Sequence, residues 1–409
     1  MVSKVVERFV KYVKYDTRSD ENSTTVPTTR GQLELARELS KELKNIGMED
    51  ICLDEYGYIM ATLPANITKD VPVVGFIAHI DTHPQVSGAN VKPKFIEAYN
   101  GEDIILNEGK NIVLSSKKFS ELKNYIGQTL ITSDGTTLLG ADDKAGIAEI
   151  ITAVEFLIQN PKIKHGPIRI AFTTDEEVGK IGEYFNVEKF KADLAYTIDG
   201  ESIGSLKYEN FNAASAKITI NGKNTYTGEA KGRMMNSLRI AAELMSMFPE
   251  KETPENTEGV EGFYHPSFIN GKVEKTEIHY LIRDFDNKNF EKRKNFISNV
   301  VQTINKKYGK DTVMLEITEQ YRNMKEKIEP EKYIVDIAIQ AMKEVNVFPD
   351  VTPLRGGTDG AKLSYMGLPT PDIFNGVHNI HSKYEYISTY SMEKSVEVIL
   401  KIIQLFTET

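Results

Sequence analysis

The sequence predicts an α/β fold interrupted by a smaller α+β domain, and three observations support this. Residues 71–80, 168–173 and 194–198 are apolar runs of strand length, rich in β-branched side chains. Such runs are typical of strands that are covered on both faces of a sheet. Residues 143–160 form a strongly helical stretch between the first two runs, and beyond about residue 210 the strand patterns become amphipathic instead. Strand, helix and strand in repetition predict a sheet with helices on both sides.

Helical spacing of apolar residues extends this pattern to both ends of the chain. Residues 1–15 interleave lysines, Glu7 and Arg8 with valines and Phe9, which predicts an amphipathic helix and not a signal peptide. Residues 31–47 carry leucines at helical spacing and end at Gly47, a typical C-terminal cap. Further helices are predicted at residues 333–345 and 390–406.

The middle of the chain has a different texture, which predicts an inserted domain. Amphipathic strands are predicted at residues 216–220, 277–282 and 313–317, with helices at 236–247 and 288–307 between them. The predicted division is a catalytic α/β domain of residues 1–209 and 326–409, and an inserted α+β domain of residues 210–325. The poorly periodic residues 82–132 are expected to form strands and loops that decorate the first domain.

Composition excludes several classes of protein. The chain has 409 residues, of which 40% are hydrophobic and 27% are charged, enough apolar side chain for packed cores. A formal charge of −9 disfavours nucleic acid and anionic membranes as partners. The sequence has no uncharged apolar run long enough to cross a bilayer. A single cysteine, Cys52, is typical of a reducing compartment, so a cytoplasmic location is expected.

Histidines and carboxylates collect where the predicted parallel strands end, the place where open α/β sheets put their active sites. The candidates, in chain order, are His79 and Asp81, Asp142 and Asp143, Glu176 and Glu177, Asp199, and His381. Each has an ordinary alternative by itself: a surface pair, an acidic helix start, a solvated cluster, a turn aspartate or a structural histidine. Their joint occurrence favours a site instead, because crowded carboxylates need a cation or open solvent.

Two histidines and three carboxylates, one of them shared, are a suitable ligand set for two Zn²⁺-class ions. A further glutamate beside such a site is suited to act as general base, because a metal-bound water must lose its remaining proton as it attacks a carbonyl. The residues themselves therefore predict a hydrolytic metal site at this edge of the sheet.

Seven motifs, in this order, resemble the M20 family of dizinc peptidases, and within it the branch of tripeptide aminopeptidases. They are GFIAHIDT, TLLGADDKAGIAEI, AFTTDEEVGK, YTIDG, ENFNAA, RGGTDGAKLSYMGLPTP and HNIHSKYE. The resemblance covers nearly the whole chain. It implies a zinc-exopeptidase-like mixed sheet flanked by helices with a smaller inserted lid domain, and a cytosolic enzyme that removes the N-terminal residue from short peptides, preferring tripeptides.

The resemblance also implies roles for individual residues. The implied zinc ligands are His79 and Asp199 for one ion, Glu177 and His381 for the other, and Asp142 as the bridge, with Co²⁺ or Mn²⁺ as substitutes. Asp81 would fix the orientation of His79, and Glu176 would be the general base. Arg355, at the start of RGGTDG, would bind the peptide's C-terminal carboxylate, for which a guanidinium is well suited.

The chain departs from the family pattern at several positions. Tyr226-Thr227-Gly228 stands where relatives have His-Pro-Gly, followed by Asn236 as a further substrate-binding candidate. The family histidine is thought to stabilise the developing oxyanion, whereas a tyrosine hydroxyl donates one hydrogen bond and carries no positive charge at neutral pH. Glu201 and Ser382 each replace an expected glycine, and either change could reshape the pocket.

Two alternatives follow from these departures. One is a different M20-type amidohydrolase, either a dipeptidase or a deacylase. The other is a homologue that binds metal and peptide but has weakened turnover because of Tyr226. The resemblance also suggests a homodimer formed through the inserted domain.

Overall fold

The computed structural model describes residues 3–408, so the first two residues of the predicted N-terminal helix lie outside the described part. The chain divides into two compact units. The first unit comprises residues 1–208, 326–352 and 362–409, and the second comprises residues 209–325 and 353–361.

The helices are α1 (Lys4–Tyr12), α2 (Arg30–Ile46), α3 (Ala141–Gln159), α4 (Ile181–Tyr184), α5 (Val187–Phe190), α6 (Ser237–Ser246), α7 (Asn287–Tyr308), α8 (Lys325–Ile328), α9 (Tyr333–Glu344), α10 (Asp359–Tyr365) and α11 (Thr389–Leu405). The strands are β1 (Glu49–Leu53), β2 (Ile59–Leu63), β3 (Val74–His79), β4 (Lys94–Ile96), β5 (Ile104–Asn107), β6 (Ile112–Leu114), β7 (Leu130–Thr132), β8 (Ile168–Thr173), β9 (Leu194–Ile198), β10 (Leu206–Lys207), β11 (Asn212–Asn221), β12 (Phe263–Gly271), β13 (Lys275–Asp284), β14 (Val313–Tyr321), β15 (Asp372–Ile373), β16 (Val377–His378) and β17 (Tyr386–Ser388).

The first unit is built on a mixed sheet, as the sequence predicts. Among the described residues this sheet has seven strands in the order β1-β2-β8-β3-β9-β15-β10. The central strands β8, β3, β9 and β15 run parallel, and β1, β2 and β10 are joined to the sheet by antiparallel pairing. Every residue of β3, β8 and β9 is buried, so both faces of the sheet are covered at its centre, which is why these strands read as continuous apolar runs.

Helices cover this sheet. Helix α3 lies against β3 and β9, with α1 and α11 packed on α3. Ile181, Phe185 and Phe190, from α4, α5 and the turn between them, pack together with Ile77 of β3. Helix α2 ends at Gly47, whose φ of 101° is the left-handed conformation predicted for a C-terminal glycine cap.

Residues 82–132 form the strands and loops that were expected of them. Strands β4 and β7 join β16 and β17 in an antiparallel sheet, and β5 pairs with β6. A separate cluster of buried residues, including Leu106, Leu122 and Tyr386, holds this region together.

The second unit is an antiparallel sheet in the order β12-β13-β11-β14, with α6 and α7 packed on it. Residues of β13 alternate between buried and less buried positions, as expected for a sheet with one covered face. Its core contains Ile218, Ile278 and Ile282 from the strands, and Leu244 and Ile297 from the helices.

The second unit differs from expectation in two respects. Strand β12 has no counterpart in the predicted elements. It is an edge strand with mostly exposed residues, and its pairing with β13 is irregular between Pro266 and Phe268, so it lacks the apolar alternation by which a strand is recognised. Residues 353–361 also belong to this unit, and within it the Leu354 N–H donates a hydrogen bond to the Glu209 carbonyl. Arg355 therefore lies in the second unit.

Between residues 3 and 408, no helix combines the length and the apolar character that are needed to span a bilayer.

Candidate metal centre

The candidate residues of the first unit meet at one edge of the central sheet. His79 is the last residue of β3, Glu176 and Glu177 follow β8, and Asp199 follows β9. Strands β8, β3 and β9 are parallel neighbours, so their carboxyl ends lie at the same edge. Asp142, in the first turn of α3, reaches the same edge, where its carboxylate contacts both His79 and His381.

Asp142 lies between the two histidines and presents one oxygen to each. Its Oδ1 is 2.9 Å from His79 Nε2, and its Oδ2 is 3.1 Å from His381 Nε2. His79 Nε2 also lies 3.7 Å from Asp199 Oδ1, and His381 Nε2 lies 3.0 Å from Glu177 Oε2. This is the arrangement expected of a carboxylate that bridges two cations, each with a further histidine and a further carboxylate.

The electrostatics of the cluster favour added positive charge. Burial, followed by the charge of Asp142, raises the pKa of Glu177 to about 9, and burial raises the pKa of Asp199 well above its usual range. Burial lowers the pKa of His381, but hydrogen bonds to Asp142 and Glu177 outweigh it and raise that pKa to about 10. A divalent cation would replace the protons that these groups otherwise hold.

An unpartnered carboxylate oxygen is a second, independent indication that these side chains suit metal ions. Glu177 Oε1 is buried and has no hydrogen-bond partner, which is costly for a carboxylate oxygen unless a cation meets it. Ligand atoms of His79, Asp142 and Glu177 all lie within 4.8 Å of one another, as do those of His79, Asp143 and Asp199. Imidazole nitrogens with carboxylate oxygens suit zinc and related divalent ions.

Asp81 is fully buried and connects two strand ends. Its Oδ1 lies 3.4 Å from His79 Nδ1, although the backbone oxygen of Asp81 is closer to that nitrogen, at 3.1 Å. The Asp81 carboxylate also accepts hydrogen bonds from the backbone N–H groups of Glu176 and Glu177, at 3.0 and 3.2 Å. Asp81 therefore holds the segment that carries two candidate residues, besides facing the histidine.

Glu176 belongs to this segment and is partly exposed. Burial raises the pKa of its carboxyl group, while the charge of His79 lowers it. A carboxylate with a raised pKa is a stronger proton acceptor than an ordinary one.

Three residues that were given no individual role in the predicted site help to position it. Glu385 accepts four backbone hydrogen bonds, from Leu139, Gly140, Ala141 and Asp142, at 2.7 to 3.0 Å. Asp175 accepts hydrogen bonds from the Thr28 backbone and from Gln32, which anchor the turn before Glu176. Asp143, joined to Asp142 by a cis peptide bond, accepts hydrogen bonds from the His79 backbone N–H and from Asn375.

His83 is a further residue that sequence reasoning missed. Its ring stacks on that of His381, with centroids 3.9 Å apart and an interplanar angle of 14°. Ligand atoms of His83, Glu177 and His381 lie within 4.8 Å of one another. The signal was present in the spacing: His79, Asp81 and His83 alternate, but only the first two were singled out.

Glu201 and Ser382, which replace expected glycines, have clear local structures. Glu201 has a φ of +60°, a conformation that glycine adopts more readily than other residues. His381, the candidate ligand before Ser382, has a similar φ of +57°. Ser382, beside His381, donates a hydrogen bond to the Asn379 carbonyl at 2.7 Å and accepts one from the Tyr384 N–H at 3.1 Å. The serine hydroxyl thus stabilises the turn that carries a candidate ligand.

The remaining predicted residues belong to the second unit. Arg355 donates hydrogen bonds to carbonyls of residues 257, 259 and 261, and its guanidinium lies over the rings of Phe211 and Phe263. Asn236 caps α6 by accepting a hydrogen bond from the Leu238 N–H at 3.0 Å. Tyr226 is 76% exposed.

Comparison with known proteins adds independent findings. The sequence profile of the family described as "Peptidase family M20/M25/M40" matches residues 134–405. A protein called Peptidase T from Clostridium novyi (strain NT) is 58% identical over 404 residues, which cover 99% of each chain.

Solved structures share the fold. Aminopeptidase PepT from Bacillus cereus ATCC 10987 superposes with a TM-score of 0.79 at 22% identity, with 99% of each chain covered. A Bacillus subtilis protein described as a dinuclear metal binding peptidase from the M20 family superposes with a TM-score of 0.62 at 12% identity, with 99% of this chain and 98% of that chain covered.

Proposed function

This chain belongs to peptidase family M20/M25/M40, and from that membership we propose that it is a dizinc aminopeptidase that releases the N-terminal residue from short peptides, preferentially tripeptides. Its 58% identity to Peptidase T from Clostridium novyi, over 99% of each chain, supports a metallo-aminopeptidase within the family. The observation that carries the proposal is the position of Asp142, with one carboxylate oxygen facing His79 and the other facing His381.

The proposed ligands divide between two ions that share Asp142. His79 and Asp199 would hold one ion, and Glu177 and His381 would hold the other. The contacts among these five side chains support this division, as does the unpartnered Oε1 of Glu177. Zinc is proposed because the donors are imidazoles and carboxylates, with Co²⁺ or Mn²⁺ as substitutes.

Bound divalent cations lower the pKa of a water molecule and polarise the peptide carbonyl. Glu176 would take the proton from the attacking water and return it to the amine that leaves when the C–N bond breaks. Asp81 would keep His79 oriented, and its hydrogen bonds to the backbone of residues 176 and 177 would hold Glu176 in place. The second unit would exclude water from the substrate.

Three residues of the second unit are proposed to bind substrate: Arg355, Tyr226 and Asn236. Arg355 would pair with the C-terminal carboxylate of the peptide and so select for peptide length. Its terminal N–H groups already donate to backbone carbonyls and to Thr257 Oγ1, so a substrate carboxylate would have to replace some of these acceptors. Asn236 already caps a helix, and Tyr226 would be the weaker substitute for the family's histidine.

A cleavage screen tests the proposal. Metal-free protein is reconstituted with zinc, cobalt or manganese and then given di-, tri- and tetrapeptides and N-acyl amino acids, with released amino acids measured by chromatography. We expect the fastest release from tripeptides, and only with metal present. Faster cleavage of dipeptides or N-acyl amino acids would identify the chain as a different M20-type amidohydrolase. Two bound zinc ions with tripeptides retained but uncleaved would identify a binding homologue.

A cytoplasmic location and a homodimer formed through the second unit also remain proposals. The single cysteine, Cys52, supports a reducing compartment. Sedimentation of the purified chain would decide the oligomeric state.

A further inference from the structure

His83 lies beside the candidate metal centre and has no role in the proposed function. It lies four residues after the end of β3, in a loop whose neighbouring backbone is paired with residues 17–19 through Thr82. It is partly buried, and its ring is stacked on His381 at 3.9 Å.

We propose that His83 is an additional ligand of the ion held by Glu177 and His381, which makes this the nitrogen-rich site of the pair. The inference rests on the metal centre of the proposed function. It goes beyond that function because it assigns the two sites different ligand sets. His79 would be the nitrogen ligand of one site, whereas His83 and His381 would both be ligands of the other.

Distance supports this assignment. Ligand atoms of His83, Glu177 and His381 lie within 4.8 Å of one another. Nitrogen and oxygen donors bind zinc at about 2.0 to 2.2 Å, so atoms this close can converge on one ion after small side-chain movements. The rings of His83 and His381 are nearly parallel, so they would tilt toward each other for a nitrogen of each to point at one ion.

The existing contacts of His83 do not oppose binding. Its Nδ1 faces the Gln85 backbone N–H at 3.4 Å, which is long for a hydrogen bond. Coordination of a metal through Nδ1 would replace this contact. Coordination through Nε2 would place the ring proton on Nδ1, which could then no longer accept from the Gln85 N–H. Either change costs little, so both ring nitrogens are available as metal ligands.

The added imidazole has a chemical consequence. With His83, Glu177, His381 and the shared Asp142, the second site has four protein ligands, and the first has three. More ligands and more nitrogen favour tighter binding of zinc or cobalt over manganese. We therefore expect the two sites to fill in sequence, the His83 site first.

The test uses the full-length chain and measures metal binding directly. Zinc is titrated against a competing chelator, and cobalt is titrated with its visible absorption recorded, for the wild type, His83→Ala and His83→Phe. Phe keeps an aromatic ring that can stack on His381 but has no donor nitrogen. His265→Ala, in the second unit, is the control. Circular dichroism of the metal-free variants confirms that each one is folded.

We expect both His83 variants to lose more than 10-fold in affinity at the tighter site and to change the cobalt spectrum of that site, because loss of even a hydrogen-bond partner of a ligand typically costs 10 to 100-fold. The control should retain wild-type affinities. Wild-type affinity in His83→Ala would overturn the inference, and so would wild-type affinity in His83→Phe, since stacking alone would then explain the position of His83. A wild-type chain that binds no zinc at all would instead overturn the metal centre of the proposed function, and this inference with it.

Discussion

The two units use charged side chains in opposite ways. The first unit buries Asp81, Asp142, Asp143, Lys144 and Glu385 at or beside the sheet edge that carries the candidate metal centre. In the second unit the core is a set of isoleucines, valines and aromatic rings, and the buried Asp284 is paired with Arg293 at 2.7 Å.

This difference indicates that charged side chains serve function in the first unit, whereas apolar side chains serve stability in the second. Buried carboxylates that repel one another lower stability unless protons or cations neutralise them, so their presence in the first unit indicates a function. An apolar core stabilises the fold directly. Substitutions in the first unit should therefore change chemistry, and those in the second should change stability.

The largest effect is expected from Glu176→Gln. Removing a general base typically costs about 10² to 10⁴-fold in rate, while the five proposed ligands stay in place. Turnover of a tripeptide should fall by that factor, with zinc content unchanged by elemental analysis. A variant that loses zinc in parallel with activity would show that Glu176 acts in metal binding instead.

Tyr226→His tests whether the second unit contributes to chemistry as well as to stability. An imidazole can carry positive charge and stabilise a developing oxyanion more strongly than a phenol, so kcat should rise, by up to about 10² to 10³-fold. Steady-state kinetics of the variant on the same tripeptide measure this. A fall in kcat would show that Tyr226 has a role of its own.

Ile278→Ala should destabilise the second unit without affecting metal binding. Ile278 is fully buried in the sheet core, and truncation of a buried isoleucine typically lowers the free energy of unfolding by about 2 to 5 kcal/mol. Urea unfolding measures the loss, and chelator competition measures zinc affinity. A matching loss of zinc affinity would contradict the separation of the two regions.

Zinc removal should destabilise the first unit selectively. A ligand present at about 100 times its Kd stabilises the folded state by about 2.7 kcal/mol. Hydrogen exchange with and without zinc should show increased protection in β3 and β9, next to the ligands, and little change in β13. Equal increases in β13 would show that the metal stabilises both units alike.

The smallest effect is expected for a surface ion-pair network of the second unit. The Glu319 carboxylate accepts hydrogen bonds from Lys294 Nζ at 2.5 Å and from Arg322 Nε at 2.8 Å. Burial alone would raise the pKa of Glu319, but the hydrogen bonds from these two cations outweigh it and lower that pKa. The ionised form is thus stabilised by folding, so its contribution is present above the unfolded pKa and disappears as the pH falls through the lower folded pKa.

Glu319→Gln should therefore reduce the free energy of unfolding at pH 7 by at most about 1 kcal/mol, as is usual for exposed ion pairs. The difference from wild type should shrink as the pH falls through the lowered pKa of Glu319, and it should also shrink in high salt. Urea unfolding at several pH values measures it, with Glu316→Gln on the same strand as the control. A difference that persists in acid would mean that the ion pairs are not its cause.

The sequence predicted the elements of the fold well where local pattern is strong. The apolar runs of β3, β8 and β9 and the helical spacing of α2, α3 and α11 are visible in the chain itself. The edge strand β12 was missed because an exposed strand containing Pro266 has no alternation of buried residues to reveal it.

In the candidate site, too, only residues next to a strong local pattern could be predicted. His79, Glu177 and Asp199 could be proposed because each stands next to a recognisable strand, and the family motifs supplied the division between two ions. Glu385 could not be given a role, since it acts on the backbone of residues 139–142, more than 240 positions earlier. Asp175 and His83 likewise depend on partners that are distant in the sequence, Gln32 and His381.

The sequence by itself determined the fold class and the family, and it predicts a metal site, because these depend on side-chain periodicity and on short motifs. Tertiary structure alone decided which oxygens of Asp142 face which histidine, which backbone groups Asp81 and Glu385 hold, and that His83 stacks on His381. The physical reason is distance: hydrogen bonds and ring contacts form over a few ångströms, and only the folded sheet brings residues from five separate segments within that range.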